Sequence, residues 1–269
     1  MKNQLFFVLA TAILTSCSTG SSSSESTDST AVADGGEFIE YNNPPAEGFN
    51  QEGSDLLATL LADKTMLAMG GRKAWDNTRY IKWNFFGRRN HTWDKWTGDV
   101  RIEAPSDDLT ILMNVNSKEG KVMKAGQEIS PDSLDIYLQR GYEMWVNDSY
   151  WLVMPFKLKD TGVTLKYLRE DTTQTGDAAD VLSLSFEDVG VTPENVYEVW
   201  VDTDSKLVTQ WAYYSDSSTL EPRFITPWAD YQKYGEILLS GDRGQYKLSD
   251  IEVLESVPEG TFTDFDMTL

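Results

Sequence analysis

Two residue types that often do chemistry in proteins occur once each in this sequence. His91 is the only histidine and Cys17 the only cysteine among 269 residues. A zinc site built from these ligand types is excluded, because it needs several of them at set spacings. A Ser-His-Asp triad would have to use His91, yet no Gly-x-Ser-x-Gly turn supplies a nucleophile. We predict that His91 is a strand residue, hydrogen-bonded or exposed, and we expect neither a metal nor a cofactor.

Acidic pairs are the next candidates for chemistry, since glycoside hydrolysis uses two facing carboxylates. With 43 acidic residues, some pair looks suitable by chance, and nothing in the spacing singles one out. A carboxylate-based hydrolase is therefore the least favoured function. Neighbouring acids also suit turns, where they accept hydrogen bonds from nearby backbone N–H groups. We interpret three acidic motifs as turns and not as calcium loops: Asp202-x-Asp204, Asp107-Asp108 and Asp264-x-Asp266.

Cys17 follows a segment with the features of an export signal. Lys2 precedes an apolar run from Leu5 to Leu14, which is shorter than the roughly 20 residues of a membrane-spanning helix. The run ends in Leu14-Thr15-Ser16-Cys17, which resembles a bacterial lipobox. We predict that residues 1–16 are a signal peptide and that the Cys17 thiol is acylated after cleavage. The alternative is an ordinary signal peptide with an incidental cysteine.

The composition behind this cysteine predicts a tether. Residues 18–36 are rich in Ser, Thr and Gly and contain no aromatic residue, so they cannot bury enough apolar surface to become ordered. We assign residues 17–50 to the lipidated cysteine and a flexible tether, and residues 51–269 to a folded domain. Asp28-Ser29-Thr30 is similar to an O-glycosylation site of the Bacteroidetes type, although a plain tether is the simpler interpretation.

The charge of the chain argues against one class of partner. The sequence holds 23 basic and 43 acidic residues, for a formal net charge of −20. A nucleic-acid-binding protein needs a positive surface, so no nucleic acid is expected. The same charge disfavours a domain lying flat on an anionic leaflet and favours one standing away from it. We expect this domain to be a monomer.

Leucine spacing predicts a first helix. Ser54 or Asp55 can cap it, and Gly70-Gly71 ends it. Six residues follow helical spacing, and all but Lys64 form an apolar stripe: Leu56, Leu57, Leu60, Leu61, Lys64 and Leu67. A short helical turn from Arg72 to Trp75 follows.

From Tyr80 onward, apolar residues alternate with polar ones, which predicts short strands of an antiparallel meander. A second helix is predicted from Pro131 to Trp145, with Ser130 as its cap. Strand patterns then return and include a hairpin from Tyr197 to Trp211. The predicted strands are Tyr80–Phe86, His91–Trp93, Val100–Glu103, Leu109–Val115, Lys121–Ala125, Val163–Tyr167, Val181–Phe186, Val196–Val201, Leu207–Tyr214, Trp228–Tyr234 and Leu248–Leu254.

Tryptophan is the most informative aromatic residue, with nine copies spread along the chain. Such side chains usually belong to the core of a sheet protein. They can also line a cavity for an acyl chain or another apolar ligand, or stack on sugars where the rings are exposed in a row. Because the sequence does not show which side of the sheet they face, all three interpretations stay open.

Several motifs together resemble a Bacteroidetes lipoprotein family of unknown function, whose fold is similar to that of the LolA/LolB superfamily. The resemblance runs from about Ser54 to Phe262. The motifs that carry it are Gly70-Gly71-Arg72-Lys73-Ala74-Trp75, His91-Thr92-Trp93-Asp94 with Gly98-Asp99, the stretch from Tyr150 to Asp160, Gly162-Val163-Thr164-Leu165, and the hairpin through Trp200 and Trp211.

The resemblance implies an α+β, mostly β fold: an incomplete antiparallel β-barrel, LolA/LolB-like, curved around plugging helices. In that superfamily the hollow of the barrel binds lipoprotein acyl chains or other lipids. The helix predicted from Pro131 to Trp145 would be the plug. Soluble carriers of this type have no lipid anchor, so a membrane-bound acceptor or sensor is the closer comparison for a chain with a lipobox.

We therefore expect a non-enzymatic lipoprotein that binds a lipid, a lipoprotein acyl chain or another apolar ligand in this hollow. Its acyl anchor would hold it to the outer membrane, facing the periplasm or the cell surface. Ser18 favours the outer membrane, because an aspartate there is associated with inner-membrane retention. The residues expected to line the hollow are Trp83, Phe85, Trp93, Trp145, Trp151 and Trp211. A surface glycan-binding or adhesion module is the alternative.

Overall fold

The computed structural model describes residues 42–187 and 189–267, and before them the backbone of two short paired strands, β1 (Thr30–Val32) and β2 (Phe38–Glu40). Cys17, the predicted signal peptide and the first part of the predicted tether, with Asp28-Ser29, lie outside the described residues. The division of the chain into signal peptide, tether and domain therefore stays a prediction.

Nine strands form one antiparallel sheet. They are β3 (Tyr80–Phe85), β4 (Arg89–Asp94), β5 (Asp99–Ala104), β6 (Leu109–Asn114), β7 (Gly120–Lys124), β8 (Gln127–Glu128), β14 (Ala229–Tyr234), β15 (Ile237–Arg243) and β16 (Tyr246–Leu254). Their order across the sheet is β14-β15-β16-β3-β4-β5-β6-β7-β8. The predicted meander is confirmed by β3 to β7, and the chain returns at its end to pair β16 with β3.

Five further strands form a second antiparallel sheet. They are β9 (Val163–Thr172), β10 (Ala178–Phe186), β11 (Val196–Asp202), β12 (Val208–Tyr214) and β13 (Phe224–Pro227), in the order β13-β12-β11-β10-β9. The predicted hairpin is confirmed, with Val199 opposite Trp211. In its loop, the Asp202 carboxylate accepts hydrogen bonds from the backbone N–H groups of Asp204 and Ser205, at 3.2 and 2.6 Å, which confirms the predicted turn.

The two sheets meet at Trp228, which lies between β13 and β14 and is buried. Neither sheet closes on itself in the described part of the chain. The structure therefore has the predicted class: mostly β, with open antiparallel sheets that form an incomplete barrel around a long helix. Five strands were not predicted: β1, β2, β8, β13 and β15. β13 ends in Pro227, and β15 contains Gly241 and Asp242, residue types that are depleted in strands.

The long helix, α3 (Pro131–Val153), runs between the sheets. It begins after Ser130 as predicted but continues past the predicted end at Trp145. Between Trp145 and Pro155 the sequence contains no glycine or proline, and packing on both sides stabilises these extra turns of the helix. Gly141 lets α3 approach the nine-stranded sheet closely. A Cβ atom there would lie 3.0 Å from side-chain atoms of Ile111 and Met113.

The first helix, α1 (Leu56–Ala68), begins after Asp55 and ends before Gly70-Gly71 as predicted, and α2 (Arg72–Asn77) follows. The predicted stripe is not the buried face of the helix. Its Leu61 is buried, but Leu56, Leu57 and Leu67 are exposed, and the helix also buries Ala58, Ala62, Thr65 and Met66. Apolar residues lie all around this helix, so spacing alone does not select a face. The buried face carries small side chains where it packs near β9 and the 3-10 turn Met154–Lys157.

Two apolar cores lie on either side of α3. The first fills the nine-stranded sheet and includes Trp83, Phe85 and Trp93, and the second fills the five-stranded sheet and includes Trp211 and Trp228. Trp151 of α3 packs against both cores. The helix therefore occupies the position of the predicted plug.

Candidate ligand-binding cavity

A cavity of about 570 Å³ lies between the C-terminal half of α3 and the face of the five-stranded sheet that packs toward it. This volume is in the range of small-molecule sites in proteins. The connections around Lys157–Val163 and Val189–Asn195 complete its wall. Nine aromatic side chains line it: Tyr142, Trp145, Tyr150, Trp151, Phe186, Tyr197, Trp211, Tyr213 and Phe224.

The regular spacing of the elements brings these rings together. On β12, Trp211 and Tyr213 are two residues apart, so both point to the same face of the sheet. On α3, Tyr142, Trp145 and Ser149 follow at intervals of three or four residues, which places them along one side of the helix. All five of these residues line the cavity.

Tyr197 and Trp211 form the centre of the aromatic wall. Their rings are parallel, with centroids 5.0 Å apart and an interplanar angle of 5°. Trp151 stands edge-on to Trp211, at 4.9 Å and 85°. Phe186 stands edge-on to Tyr197, at 5.7 Å and 82°. The cavity wall thus combines a parallel pair with rings nearly perpendicular to it on two sides.

A second group of rings extends the wall toward the edge strand β13. Phe224 stacks on Trp151 at 5.4 Å and 29°, and it lies 5.3 Å from Tyr213. Stacked and edge-to-face pairs of this kind add about 0.5–1.5 kcal/mol each beyond the area that they bury. The aromatic contacts therefore hold the wall in a defined shape.

Polar side chains also line the cavity, and several of them are paired with one another. Asn195, which is buried, accepts a hydrogen bond from Tyr213 Oη at 3.2 Å and donates one to Thr192 Oγ1 at 2.5 Å. Lys157 pairs with Asp160. These groups can orient a ligand, whereas most of the contact area is apolar.

Two tyrosines of the cavity, Tyr150 and Tyr197, are neutral phenols. Burial raises the pKa of Tyr197 to about 12 and raises the pKa of Tyr150 well above its usual value of 10. Neither hydroxyl ionises near neutral pH, so neither supplies a base. The Tyr150 oxygen has no hydrogen-bond partner among the described residues.

The six residues predicted to line the hollow fall into two groups. Trp145, Trp151 and Trp211 line the cavity. Trp83, Phe85 and Trp93 are buried in the core of the nine-stranded sheet and are not in its lining. A ligand-binding role for any of the six remains a prediction.

Sequence reasoning missed six further aromatic residues that line the cavity: Tyr142, Tyr150, Phe186, Tyr197, Tyr213 and Phe224. A signal for some of them was present. Tyr213 follows Trp211 by two residues, so one face of the predicted hairpin carries both rings. Which face turns inward depends on where α3 packs, and the spacing along one strand does not contain that information.

His91 lies elsewhere, in β4, and is fully buried beneath α3. Its Nε2 is 2.7 Å from Oδ2 of Asp148, which also accepts hydrogen bonds from Arg89 Nε at 2.6 Å and, through Oδ1, from Arg89 Nη2 at 2.8 Å. The prediction of a hydrogen-bonded strand histidine is confirmed. Burial lowers the pKa of His91, which outweighs the opposing effect of Asp148. Such a histidine is sealed from substrates.

Among residues 42–187 and 189–267, no group of three or more His, Cys, Asp or Glu side chains is placed to hold a metal ion. No helix in the same part of the chain has the length and hydrophobicity needed to span a bilayer.

Several solved structures are similar in fold to this chain. A DUF1329 family protein from Desulfovibrio piger is 12% identical, with a TM-score of 0.41 over 77% of this chain and 97% of that one. A LolA superfamily protein from Nitrosomonas europaea is 13% identical, with a TM-score of 0.37 over 77% and 97%. A protein domain from Vibrio parahaemolyticus, described as outer-membrane lipoprotein-sorting, is 14% identical, with a TM-score of 0.32 over 75% and 97%.

No protein-family model matches the sequence, and no curated protein matches it significantly. The identities and TM-scores of the solved structures are low, so these proteins do not indicate what this chain binds.

Proposed function

We propose that this protein is an exported, membrane-anchored and non-enzymatic lipoprotein that holds a lipid or another apolar ligand between α3 and the five-stranded sheet. The observation that carries the proposal is the cavity of about 570 Å³ with its nine aromatic side chains. An interior lined by so many rings can remove a large apolar surface of a ligand from water.

Binding of this kind needs only burial and orientation. Each Å² of apolar ligand surface removed from water contributes about 25 cal/mol before the costs of association. The amide of Asn195 and the tyrosine hydroxyls add a small number of polar contacts. No covalent step is required.

Binding at the cavity is tested with delipidated protein and three apolar probes: N-phenyl-1-naphthylamine, palmitate and a lipopeptide. We expect at least one probe to bind saturably and to change the tryptophan fluorescence. Val146→Trp places a large side chain on the cavity side of α3 and should reduce binding at least tenfold. Ile136→Trp, at an exposed position of the same helix, is the matched control and should bind like the unmodified protein.

If none of the three probes binds saturably, or if Val146→Trp binds as well as Ile136→Trp, the cavity is not a ligand site. The second outcome would also show that the probe binds elsewhere on the surface.

The anchor is the second part of the proposal and rests on Cys17, outside the described residues. Each buried methylene of an acyl chain contributes about 0.8 kcal/mol, so two or three chains hold a protein firmly. The net charge of −20 favours a body that stands away from an anionic leaflet. Labelled palmitate should enter the protein in its host, and Cys17→Ala should release it from the membrane fraction. Equal membrane association of Cys17→Ala would contradict the anchor.

A glycan-binding module gains little support from the exposed surface. Sugar stacking needs accessible rings in a row, and among the tryptophans of the described residues only Trp96 is exposed, at 58%. The Arg79 guanidinium also lies over the Trp96 ring, 5.1 Å from the ring centroid. The cavity therefore remains the better candidate site.

A further inference from the structure

The cavity differs in composition from the rest of the interior. Its apolar lining consists of nine aromatic residues and four valines, and it contains no leucine, isoleucine or methionine. The two neighbouring cores are rich in those three residue types, for example Ile102, Leu109 and Met113 in the core of the nine-stranded sheet. The cavity therefore lacks the long aliphatic side chains of the cores and is lined mainly by rings.

The rings of the cavity have two orientations, and the planes of the two sets are nearly perpendicular to each other. The parallel pair of Tyr197 and Trp211 has an interplanar angle of 5°, whereas Trp151 and Phe186 lie at 85° and 82° to members of that pair. A planar ring that enters this space can lie parallel to some rings and present its edge to others. Both arrangements are the preferred geometries of aromatic pairs.

From this lining we propose that the ligand is a neutral molecule with a planar aromatic ring system, and not a straight acyl chain. This inference rests on the proposed function, since it names the class of ligand for the same cavity. An acyl chain gains only from the area that it buries there. An aromatic ligand gains from burial and also from the stacked and edge-to-face contacts that the wall offers.

Charge argues for a neutral ligand. The one lysine of the lining, Lys157, is already paired with Asp160, and Glu143 adds a negative charge at the rim. The net charge of −20 repels an anion such as a fatty-acid carboxylate from the whole molecule. No group of the described lining is free to neutralise an anionic head group.

The test compares two neutral alcohols with the same number of carbon atoms, 2-naphthaleneethanol and 1-dodecanol, in radiolabelled form. Equilibrium dialysis against the delipidated full chain gives a dissociation constant for each. The dodecyl chain has the larger apolar surface, so burial alone favours dodecanol. We expect the naphthyl alcohol to bind at least about tenfold more tightly, because it makes several aromatic contacts that dodecanol lacks.

Two variants remove rings while keeping apolar side chains. Phe186→Leu and Phe224→Leu lie at partly exposed positions, so both should fold. Each should weaken binding of the naphthyl alcohol about three- to tenfold and leave dodecanol within twofold of the unmodified protein. Trp96→Leu, which removes an exposed ring outside the cavity, is the matched control and should change neither constant.

The outcomes separate this inference from the proposed function. Equal or tighter binding of dodecanol, or equal weakening of both alcohols in Phe186→Leu and Phe224→Leu, overturns the aromatic ligand but leaves an apolar-binding cavity. If neither alcohol binds, and the three probes above also fail, both proposals are wrong.

Discussion

The buried phenol hydroxyls of Tyr150 and Tyr231 differ in their hydrogen bonding. Burial raises the pKa of both, so both are neutral. The Tyr231 hydroxyl donates a hydrogen bond to the carbonyl oxygen of Val208 at 2.9 Å. The Tyr150 hydroxyl has no partner within the described part of the chain. A buried polar group without a partner costs about 1–3 kcal/mol.

This contrast predicts different effects for the same substitution. Tyr231→Phe removes a hydrogen bond and should lower the free energy of unfolding by about 1 kcal/mol. Tyr150→Phe removes an unpaired hydroxyl and should leave that free energy unchanged or raise it. Urea unfolding of the ligand-free protein measures both. An equal loss in the two variants would show that Tyr150 has a partner.

The buried cluster around His91 makes stability depend on pH. Burial lowers the pKa of His91. Burial alone would raise the pKa of Asp148, but hydrogen bonds from His91 and Arg89 outweigh it and lower that pKa. Nδ1 of His91 has no partner among the described residues, as fits a neutral ring that donates through Nε2.

The sign of the effect follows from proton binding. Below the usual histidine pKa of about 6.5, the unfolded chain takes up a proton that the folded chain does not. Stability is therefore full above that pH and falls as the pH drops toward 5, by at most about 1.4 kcal/mol per pH unit. Urea unfolding between pH 7.5 and pH 5 measures the slope.

His91→Gln is the control for this slope, because glutamine can still donate to Asp148 but does not titrate. His91 is the only histidine, so the variant should lose the dependence in this range. A flat profile for the unmodified protein, or the same slope in both proteins, would contradict the buried neutral histidine.

At the scale of elements, Arg243 of β15 links the C-terminal end of α3 to the nine-stranded sheet through hydrogen bonds. Its guanidinium donates to the carbonyl oxygen of Trp151 at 2.7 Å and to the Ser240 hydroxyl at 2.8 Å. It also lies over the ring of Trp228, 3.4 Å from the centroid. Burial lowers its pKa to about 9, so it stays charged at neutral pH. One buried side chain thus joins the helix, β15 and the junction of the two sheets.

Arg243→Lys should be destabilising although it keeps the charge. A single ammonium group does not reproduce the planar fork or the contact with the indole ring. We expect a loss of about 2 kcal/mol or more in the free energy of unfolding, with faster hydrogen exchange in the last turn of α3. Lys247→Ala, which breaks an exposed pair with Asp242, is the control and should cost less than about 1 kcal/mol. Unchanged exchange in Arg243→Lys would contradict the role of Arg243.

The sequence predicted the positions of elements that have one polar and one apolar face. It did not predict the buried face or the end of elements that carry apolar residues on all sides or pack between two cores. Strands β3 to β7 alternate clearly, and the structure has them where the alternation predicts. In α1, apolar residues occur on all sides, so the spacing of Leu56 and Leu67 indicated the wrong face. The last turns of α3 lie between two cores, where tertiary packing determines the end of the helix.

At the scale of the molecule, the cavity exists because two sheets are joined at Trp228 and fold around one helix. Tryptophans from distant parts of the sequence then separate into two environments. Trp83 packs into the nine-stranded core beside His91, with ring centroids 4.6 Å apart, while Trp151 and Trp211 line the cavity. Local sequence patterns do not encode this separation, since it depends on which sheet lies over which side of α3.

The central claim is that an apolar ligand occupies the space beside α3, and the indole N–H signals of the tryptophans test it most directly. These signals are recorded by ¹⁵N NMR, assigned with single Trp→Phe variants, and followed as N-phenyl-1-naphthylamine is added. The signals of Trp151 and Trp211 should shift saturably, while those of Trp83 and Trp96 stay in place. Signals that all remain fixed, or a shift confined to Trp96, would contradict the claim.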